Sequence, residues 1–360
     1  MMSTIKTIKR IDQIIGPVLL KLFPKAVMAK SKTISLKKIL IIRPGGMGDA
    51  LLLLPILKEI SSSFHVRIDI LCEPRNESIF KSVTFLNQVF SYKNFKSMLY
   101  VFQKHYDAVF DTEQSHFLSA IIARLVRADT KVGFKTKGRE KMYNKAIAYS
   151  HHIYEAKMFW ELFSTVFSLG KPFHFNFPYF IPPRHNQSLS FKEEKVICLF
   201  PGATIDERLW PEKRWANVID WIANKNLLPI LIGGSKEYNQ CKKIMGYCKT
   251  DTGINLCSSL SILDTATLFN QTKLLISTDS GILHLGVLCN VPTISLFGAG
   301  IADKWAPQGK QHFVINKMLP CGPCTLYGTT PKCQRNKQCM MQIKSIDVIV
   351  AIKKIIMENV

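Results

Sequence analysis

At 360 residues, 47% of them hydrophobic, the chain is long enough for two hydrophobic cores and too apolar to be intrinsically disordered. Its 48 Lys and Arg against 26 Asp and Glu leave a formal charge of +22, which favours nucleic acid, an anionic membrane or a phosphorylated substrate as partner. The basic residues are dispersed, without a zinc-finger, RNP-type or helix-turn-helix signature, so nucleic acid is not an expected partner.

From the N-terminus, Ile5, Ile8, Ile11, Ile14, Ile15, Val18, Leu19, Leu22 and Phe23 recur at helical spacing, with Lys6, Lys9, Arg10 and Lys21 interspersed. This predicts a basic amphipathic helix within an extension over residues 1–36, lying on a membrane surface or on the protein body. A secretory signal is the competing reading, but its apolar core, Ile14 to Leu20, is interrupted by Gly16-Pro17 and no cleavage site follows. No apolar run reaches the roughly 18 residues of a spanning helix.

Ile39 to Ile42 reads as a central parallel strand, Arg43-Pro-Gly-Gly-Met-Gly-Asp49 as a glycine turn, and Ala50 to Ile60 as a helix. Val66 to Cys72 and Asp107 to Phe110 are further strands, and the alternation with helices implies a parallel sheet. Between 171 and 190 the pattern fails among Pro172, Pro178, Pro182 and Pro183, which places a linker there and the domains at 37–185 and 186–345.

The second half restarts the plan: a strand over Lys195 to Phe200, a loop to Trp210, a helix over Arg214 to Ala223, and a strand over Leu227 to Ile232 ending in Gly233-Gly234. The strand Leu274 to Ile276 runs into Asp279-Ser280-Gly281-Ile282-Leu283-His284, and the strand Val291 to Phe297 into Gly298-Ala299-Gly300. A closing helix, Ile346 to Met357 within 346–360, is expected to pack back across the linker. The economical architecture is α/β, two Rossmann-like halves with a cleft between them.

Asp279 to Gly281 stand where a strand meets a helix, the place at which open α/β sheets bind ligands and free N–H groups attract phosphate or hydroxyl-rich groups. A nucleotide-type ligand is implied; the plain alternatives are a helix cap for Asp279 and a core residue for His284. Cys72, Cys198, Cys241, Cys248, Cys257 and Cys289 lack framework spacing, as expected of buried thiols in a reducing, cytoplasmic compartment. Cys321, Cys324, Cys333 and Cys339 differ: their C-x₂-C-x₈-C-x₅-C spacing suits a structural zinc site, a redox-labile loop or free thiols.

Arg43 to Asp49 with Pro55, Pro201-Gly-Ala-Thr204 followed by Arg208-Leu-Trp-Pro-Glu-Lys-Arg-Trp215, Gly233-Gly-Ser-Lys-Glu237, Asp279 to His284 and Phe297-Gly298 occur in the order and spacing of the lipopolysaccharide heptosyltransferases, which the chain resembles from about Lys37 to Ser345. The resemblance implies a GT-B fold, an ADP-heptose donor, and a lipid-linked acceptor in the inner core of lipopolysaccharide, with the enzyme peripheral on the cytoplasmic face of the inner membrane. It implies that Asp49 is the general base, with Gly45, Gly46 and Gly48 forming the acceptor-side loop. A helix cap is the simpler role for Asp49, and a helix N-terminus would keep it ionised in either role.

By the same resemblance Thr204 and Arg208 meet the donor diphosphate, Glu237 holds the ribose, and Asp279, Ser280, Gly281, His284 and Gly298 line the donor pocket. The chain departs from the family where Arg208 replaces the commoner Lys, Ala203 a hydroxyl, and Ser280 a Thr. No Asp-x-Asp motif occurs, so catalysis is expected to need no metal, and zinc would only staple the cysteine loop. The glycines around Asp49 lack the G-x-G-x-x-G spacing of dehydrogenases, and no Walker lysine is present. The rivals are a transferase using another nucleotide sugar and a catalytically silent sugar-nucleotide-binding protein.

Overall fold

A computed structural model describes residues 2–27, 36–170, 195–326 and 328–357, with side chains from residue 11 onward. They belong to two compact units, Met1–His174 and Phe175–Val360. The expected linker, 171–190, lies outside the described residues.

The first unit opens with helix α1 (Met2–Leu22), which continues through Gly16-Pro17. Then follow β1 (Lys38–Arg43), α2 (Met47–Phe64), β2 (Arg67–Cys72), α3 (Pro74–Lys81), β3 (Gln88–Ser91), α4 (Phe95–Gln103), β4 (His105–Asp111), α5 (Phe117–Leu125), β5 (Arg127–Lys135), β6 (Lys145–Ala148) and α6 (Glu155–Ser164). All six strands are parallel, in the order β3-β2-β1-β4-β5-β6. Ile39 to Ile42 of β1 are fully buried, as a central strand with helices on both faces requires. Each such side chain contributes about 1.5–3 kcal/mol by leaving water. Helix α2 starts at Met47 rather than at Ala50, because Gly46 already serves as its N-cap, and this puts Gly48 and Asp49 in the first turn.

The buried end of β4 is held by charge. Asp111 Oδ2 accepts from Arg139 Nη2 at 2.7 Å and from Tyr143 Oη at 2.7 Å, with both pair members fully buried. Gly133 leaves room for that tyrosine, since a Cβ there would stand 2.3 Å from its ring.

The second unit contains β7 (Val196–Phe200), α7 (Glu212–Ala223), β8 (Leu228–Leu231), α8 (Tyr238–Tyr247), β9 (Ile254–Asn255), α9 (Ile262–Phe269), β10 (Thr272–Thr278), α10 (Gly281–Leu288), β11 (Thr293–Phe297), α11 (Ala302–Trp305), β12 (His312–Asn316), α12 (Gln338–Met341) and α13 (Ser345–Met357). Its parallel sheet, β12-β11-β10-β7-β8-β9, repeats the same doubly wound order. Trp210 and Trp215 of the Arg208–Trp215 motif meet edge to face at 5.0 Å, and Trp210 Nε1 donates to the Ile343 carbonyl at 2.8 Å. The closing helix α13 packs on α7 and on β11 and β12, burying Val348, Ala351 and Ile352 in the core of this unit. Its expected passage across the linker concerns residues outside those described.

One expectation is corrected. Cys241 and Cys257 form a disulfide with Cα atoms 6.7 Å apart, rather than two free thiols. The packing of α8 against the β9 edge brings them together, and their separation of 16 residues gave no sign of it.

Arg139→Met would leave Asp111 buried without its cation, and a loss of about 3–5 kcal/mol in unfolding free energy is expected from denaturant titration. A change under about 1 kcal/mol would show that the pair does not hold the end of β4.

Candidate active site

In a doubly wound sheet the loops leaving the two strands at the order reversal diverge and make room for a ligand. In the first unit these strands are β1 and β4. β1 ends on Arg43, whose side chain is 1% exposed. Its Nε donates to the Pro44 carbonyl at 2.6 Å and its Nη1 to the Thr112 carbonyl at 2.7 Å. Its Nη2 stands 3.2 Å from both Asp49 Oδ2 and Glu113 Oε2. The chain can turn this closely over the guanidinium only at Gly45, where φ is +110° and a Cβ would lie 2.6 Å from Arg43 Nη2. Asn76 and Glu73 hold that turn through the Gly45 carbonyl and N–H.

Burial raises the Asp49 carboxyl above the usual carboxylate range, with Arg43 opposing and Glu113 reinforcing the shift. Desolvation is thus the largest influence on Asp49, while the Arg43 guanidinium and its place in the first turn of α2 favour the anion. Asp49 also accepts the backbone N–H of Gly46, so it helps to cap α2 as well. Glu113 goes the other way. Burial alone would raise it, but His116, Arg43, Arg139 and the Ser115 N–H hold it down to about 2.

In the second unit the order reverses between β7 and β10. Arg208, on the short turn after β7, places Nη1 3.2 Å from Asp279 Oδ2 and Nη2 3.5 Å from Thr325 Oγ1. Asp279 is buried at the end of β10; Ser280 is the N-cap of α10 and Gly281 its first residue. The Gly298-Ala299-Gly300 turn passes so close that a Cβ on Gly300 would lie 1.9 Å from Asp279 Oδ2. The Pro201–Thr204 loop is tied in by a hydrogen bond from Thr278 Oγ1 to the Gly202 carbonyl. Gly202 also abuts Glu237, which accepts the Gly234 N–H at 2.8 Å. His284 is buried, desolvation lowers its pKa to about 4, and its Nδ1 has no protein partner among the described residues.

The structure thus groups Arg208, Asp279, Ser280, Gly281 and the 298–300 turn at one strand switch, with Glu237 beside Gly202 and Thr204 exposed on the same loop. Asp49, Gly45, Gly46 and Gly48 stand at the switch of the other unit. Sequence reasoning missed Arg43, Glu113 and Thr325 as members of these clusters.

The cysteine loop packs onto the same second-unit cluster. The N–H groups of Cys324 and Thr325 both donate to the Ala299 carbonyl at 2.9 Å, and that of Cys333 to Glu207 at 3.3 Å. Cys339 Sγ stands 2.8 Å from the place a Gly298 Cβ would take. Cys333 Sγ accepts the N–H groups of Arg335 and Lys337 at 3.4 and 3.3 Å. Burial, together with the other thiols of the cluster, pushes the Cys324 and Cys339 thiols up. Among the described residues, three metal-ligand atoms already stand within 4.8 Å of one another only at His105, Asp107 and Asp129, near the start of β4. Asp107 there accepts the N–H groups of Lys37 and Lys38 and so serves the start of β1.

The glycosyltransferase family 9 (heptosyltransferase) model matches residues 98–334. The chain is 24% identical over 246 residues to lipooligosaccharide heptosyltransferase 2 of Campylobacter jejuni, covering 67% of this chain and 73% of the relative. It is 23% identical over 336 residues to lipopolysaccharide heptosyltransferase 3 of Escherichia coli, covering 86% and 96%. Among solved structures, a glycosyl transferase family 9 protein from Veillonella parvula superposes with a TM-score of 0.72 at 16% identity, over 91% of this chain and 100% of the other. The E. coli heptosyltransferase WaaC, solved with ADP, does so with a TM-score of 0.71 at 20% identity, over 88% and 99%. The fold is therefore the two-sheet GT-B arrangement shared with these structures.

Glu113→Gln removes a charge that raises Asp49 and leaves Arg43 freer to stabilise its anion, so the Asp49 titration midpoint should fall, as read by carbon-13 NMR of the carboxyl. A rise would contradict the shared-guanidinium geometry. Because Glu113 is held at about 2 against 4.5 unfolded, its contribution to stability is complete above pH 4.5 and is lost as the pH falls towards 2. The Gln variant should show a shallower loss of stability over that window.

Proposed function

The chain belongs to glycosyltransferase family 9, and from that premise we propose that it transfers a heptose from ADP-heptose, with inversion, to a lipid-linked precursor of the lipopolysaccharide core. The observation that carries this reading is Asp49, a carboxyl raised by burial and held by Arg43 at a strand switch, which is the state a general base for a sugar hydroxyl needs. In this mechanism the acceptor oxygen forms a bond to the anomeric carbon while the bond from that carbon to the donor phosphate oxygen breaks. The electron pair leaves on ADP, and the acceptor proton passes to Asp49.

The second unit binds the donor. Arg208, supported by Asp279 and Thr325, offsets the charge that grows on the diphosphate, and the N-terminus of α10 adds the partial positive charge of its free N–H groups. Neutral His284, buried with an open Nδ1, suits a hydroxyl or phosphate oxygen better than a second fixed charge would. Thr204 meets the diphosphate and Glu237 the ribose. A lipid-linked acceptor places the enzyme on the cytoplasmic face of the inner membrane.

The four clustered thiols serve, in the same reading, as the ligands of one structural zinc that fastens the 321–339 loop to the Gly298-Ala299 turn. Their spacing, the N–H groups directed at Cys333 Sγ and the mutual influence of the thiols support it. A bound ion would draw the sulfurs together and deprotonate them. Purified protein should then contain about one zinc per chain by elemental analysis, less in Cys324→Ser, and metal-free protein that melts unchanged would remove the zinc.

A thermal-shift panel of nucleotide sugars tests the donor assignment. ADP-heptose should raise the melting temperature more than UDP- or GDP-sugars do, since stabilisation grows as ln(1 + [L]/Kd); a UDP-sugar in first place would overturn it. Arg208→Ala should lower kcat/KM by about 2–4 kcal/mol in transition-state terms and weaken ADP binding with it. Kinetics within about twofold of the parent would remove Arg208 from the site.

A further inference from the structure

Helix α1 is attached to the first unit the wrong way round for an ordinary surface helix. From residue 11 onward its buried positions are Asp12, Gly16 and Leu20, one helical turn apart. Asp12 takes two of the free N–H groups at the start of α5: Phe117 N–H at 3.0 Å and Leu118 N–H at 2.7 Å. His116 Nδ1 stands 3.4 Å from the same carboxylate. Gly16 allows close approach, because a Cβ there would stand 2.4 Å from Phe117 Cβ, and Leu20 enters the core of the unit.

The opposite face is apolar. Ile11, Ile14, Ile15, Val18, Leu19 and Leu22 follow the i, i+3, i+4, i+7 rule, and all lie between 37% and 74% exposed. Leu118 of α5, whose N–H Asp12 caps, is exposed as well. A water-facing stripe of six large aliphatic side chains on a helix pinned by a carboxylate calls for a partner.

The charge pattern selects the partner. Residues 1–36 contain seven Lys and Arg and a single acid, Asp12, whose charge is turned inward onto α5. Lys21 and Lys25 are exposed at the C-terminal end of the helix, and the Ala26 N–H bond to the Lys141 carbonyl brings a further lysine alongside. No helix among the described residues is long and apolar enough to cross a bilayer. An apolar stripe edged by cations, with no exposed acid in the segment, fits an anionic lipid surface.

We propose that α1 lies in the surface of an anionic bilayer, with Ile11, Ile14, Ile15, Val18, Leu19 and Leu22 in the headgroup–acyl boundary and Asp12, Gly16 and Leu20 fastening the first unit to it. This deepens the functional reading by naming what holds the enzyme at its lipid-linked acceptor, and it rests on that reading only for the biological purpose. The helix geometry stands without it.

The test is co-sedimentation of the full chain with vesicles of phosphatidylethanolamine and phosphatidylglycerol, with phosphatidylcholine vesicles as control. The parent should bind the anionic vesicles, and Ile14→Glu/Val18→Glu should bind at least about tenfold less with an unchanged melting temperature, because both side chains face water. Asp12→Ala, which leaves the stripe intact, should retain vesicle binding while lowering the melting temperature. Equal sedimentation of the parent and the double-Glu protein would overturn the proposal. So would a lipid-free parent dimer that the double substitution turns into monomer by light scattering, since the stripe would then cover a second copy. Vesicle binding by a protein that no ADP-sugar stabilises would sink the donor reading and leave the helix assignment standing. Normal sugar transfer to a soluble acceptor without vesicle binding would do the reverse.

Discussion

A guanidinium that is 1% exposed has to be neutralised and hydrogen-bonded where it stands, and the first unit is arranged around that demand on Arg43. Two carbonyls and two carboxylates converge on it: Pro44 and Asp49 from the turn and first helix after β1, Thr112 and Glu113 from the end of β4. Their convergence determines the path of the loops on both sides of the strand switch. It also explains why the chain needs a positive φ at Gly45, and why Arg139, reaching Asp111 and the Glu113 carbonyl, supports the far side. Asp49 and Glu113 share one cation yet shift in opposite directions, because Glu113 has two backbone N–H groups and more cations around it.

The second unit applies the same topology to a different end. Its switch holds Arg208 beside a buried carboxylate, and close backbone approach is obtained with glycines rather than with a buried cation. In the proposed reaction the two switches divide the work between a base and an anion site. The 321–339 loop then acts on the anion site from behind, through the Ala299 carbonyl, Gly298 and Thr325.

Strands that are continuous apolar runs, glycine turns and helix starts are local features, and β1, β7, β10, β11 and the positions of Asp49 and Asp279 were legible from them. What the sequence left hidden depends on distant contacts. Arg43 reads as the first residue of the glycine turn until Glu113, 70 residues on, is brought opposite it by the β1–β4 pairing. Thr325 meets Arg208 only across 117 residues of chain, from the loop that carries the clustered cysteines. Periodicity identified α1 as amphipathic but not which face turns inward, and that was decided by a single aspartate capping α5.

The central claim is that Asp49 moves a proton and does not merely cap α2. Asp49→Asn keeps the shape and an oxygen for the Gly46 N–H, so the melting temperature and ADP affinity should stay near those of the parent. Single-turnover transfer measured on that variant should be slower by at least about a hundredfold. Transfer at close to the original rate, with binding intact, would contradict the account and assign the base to another group.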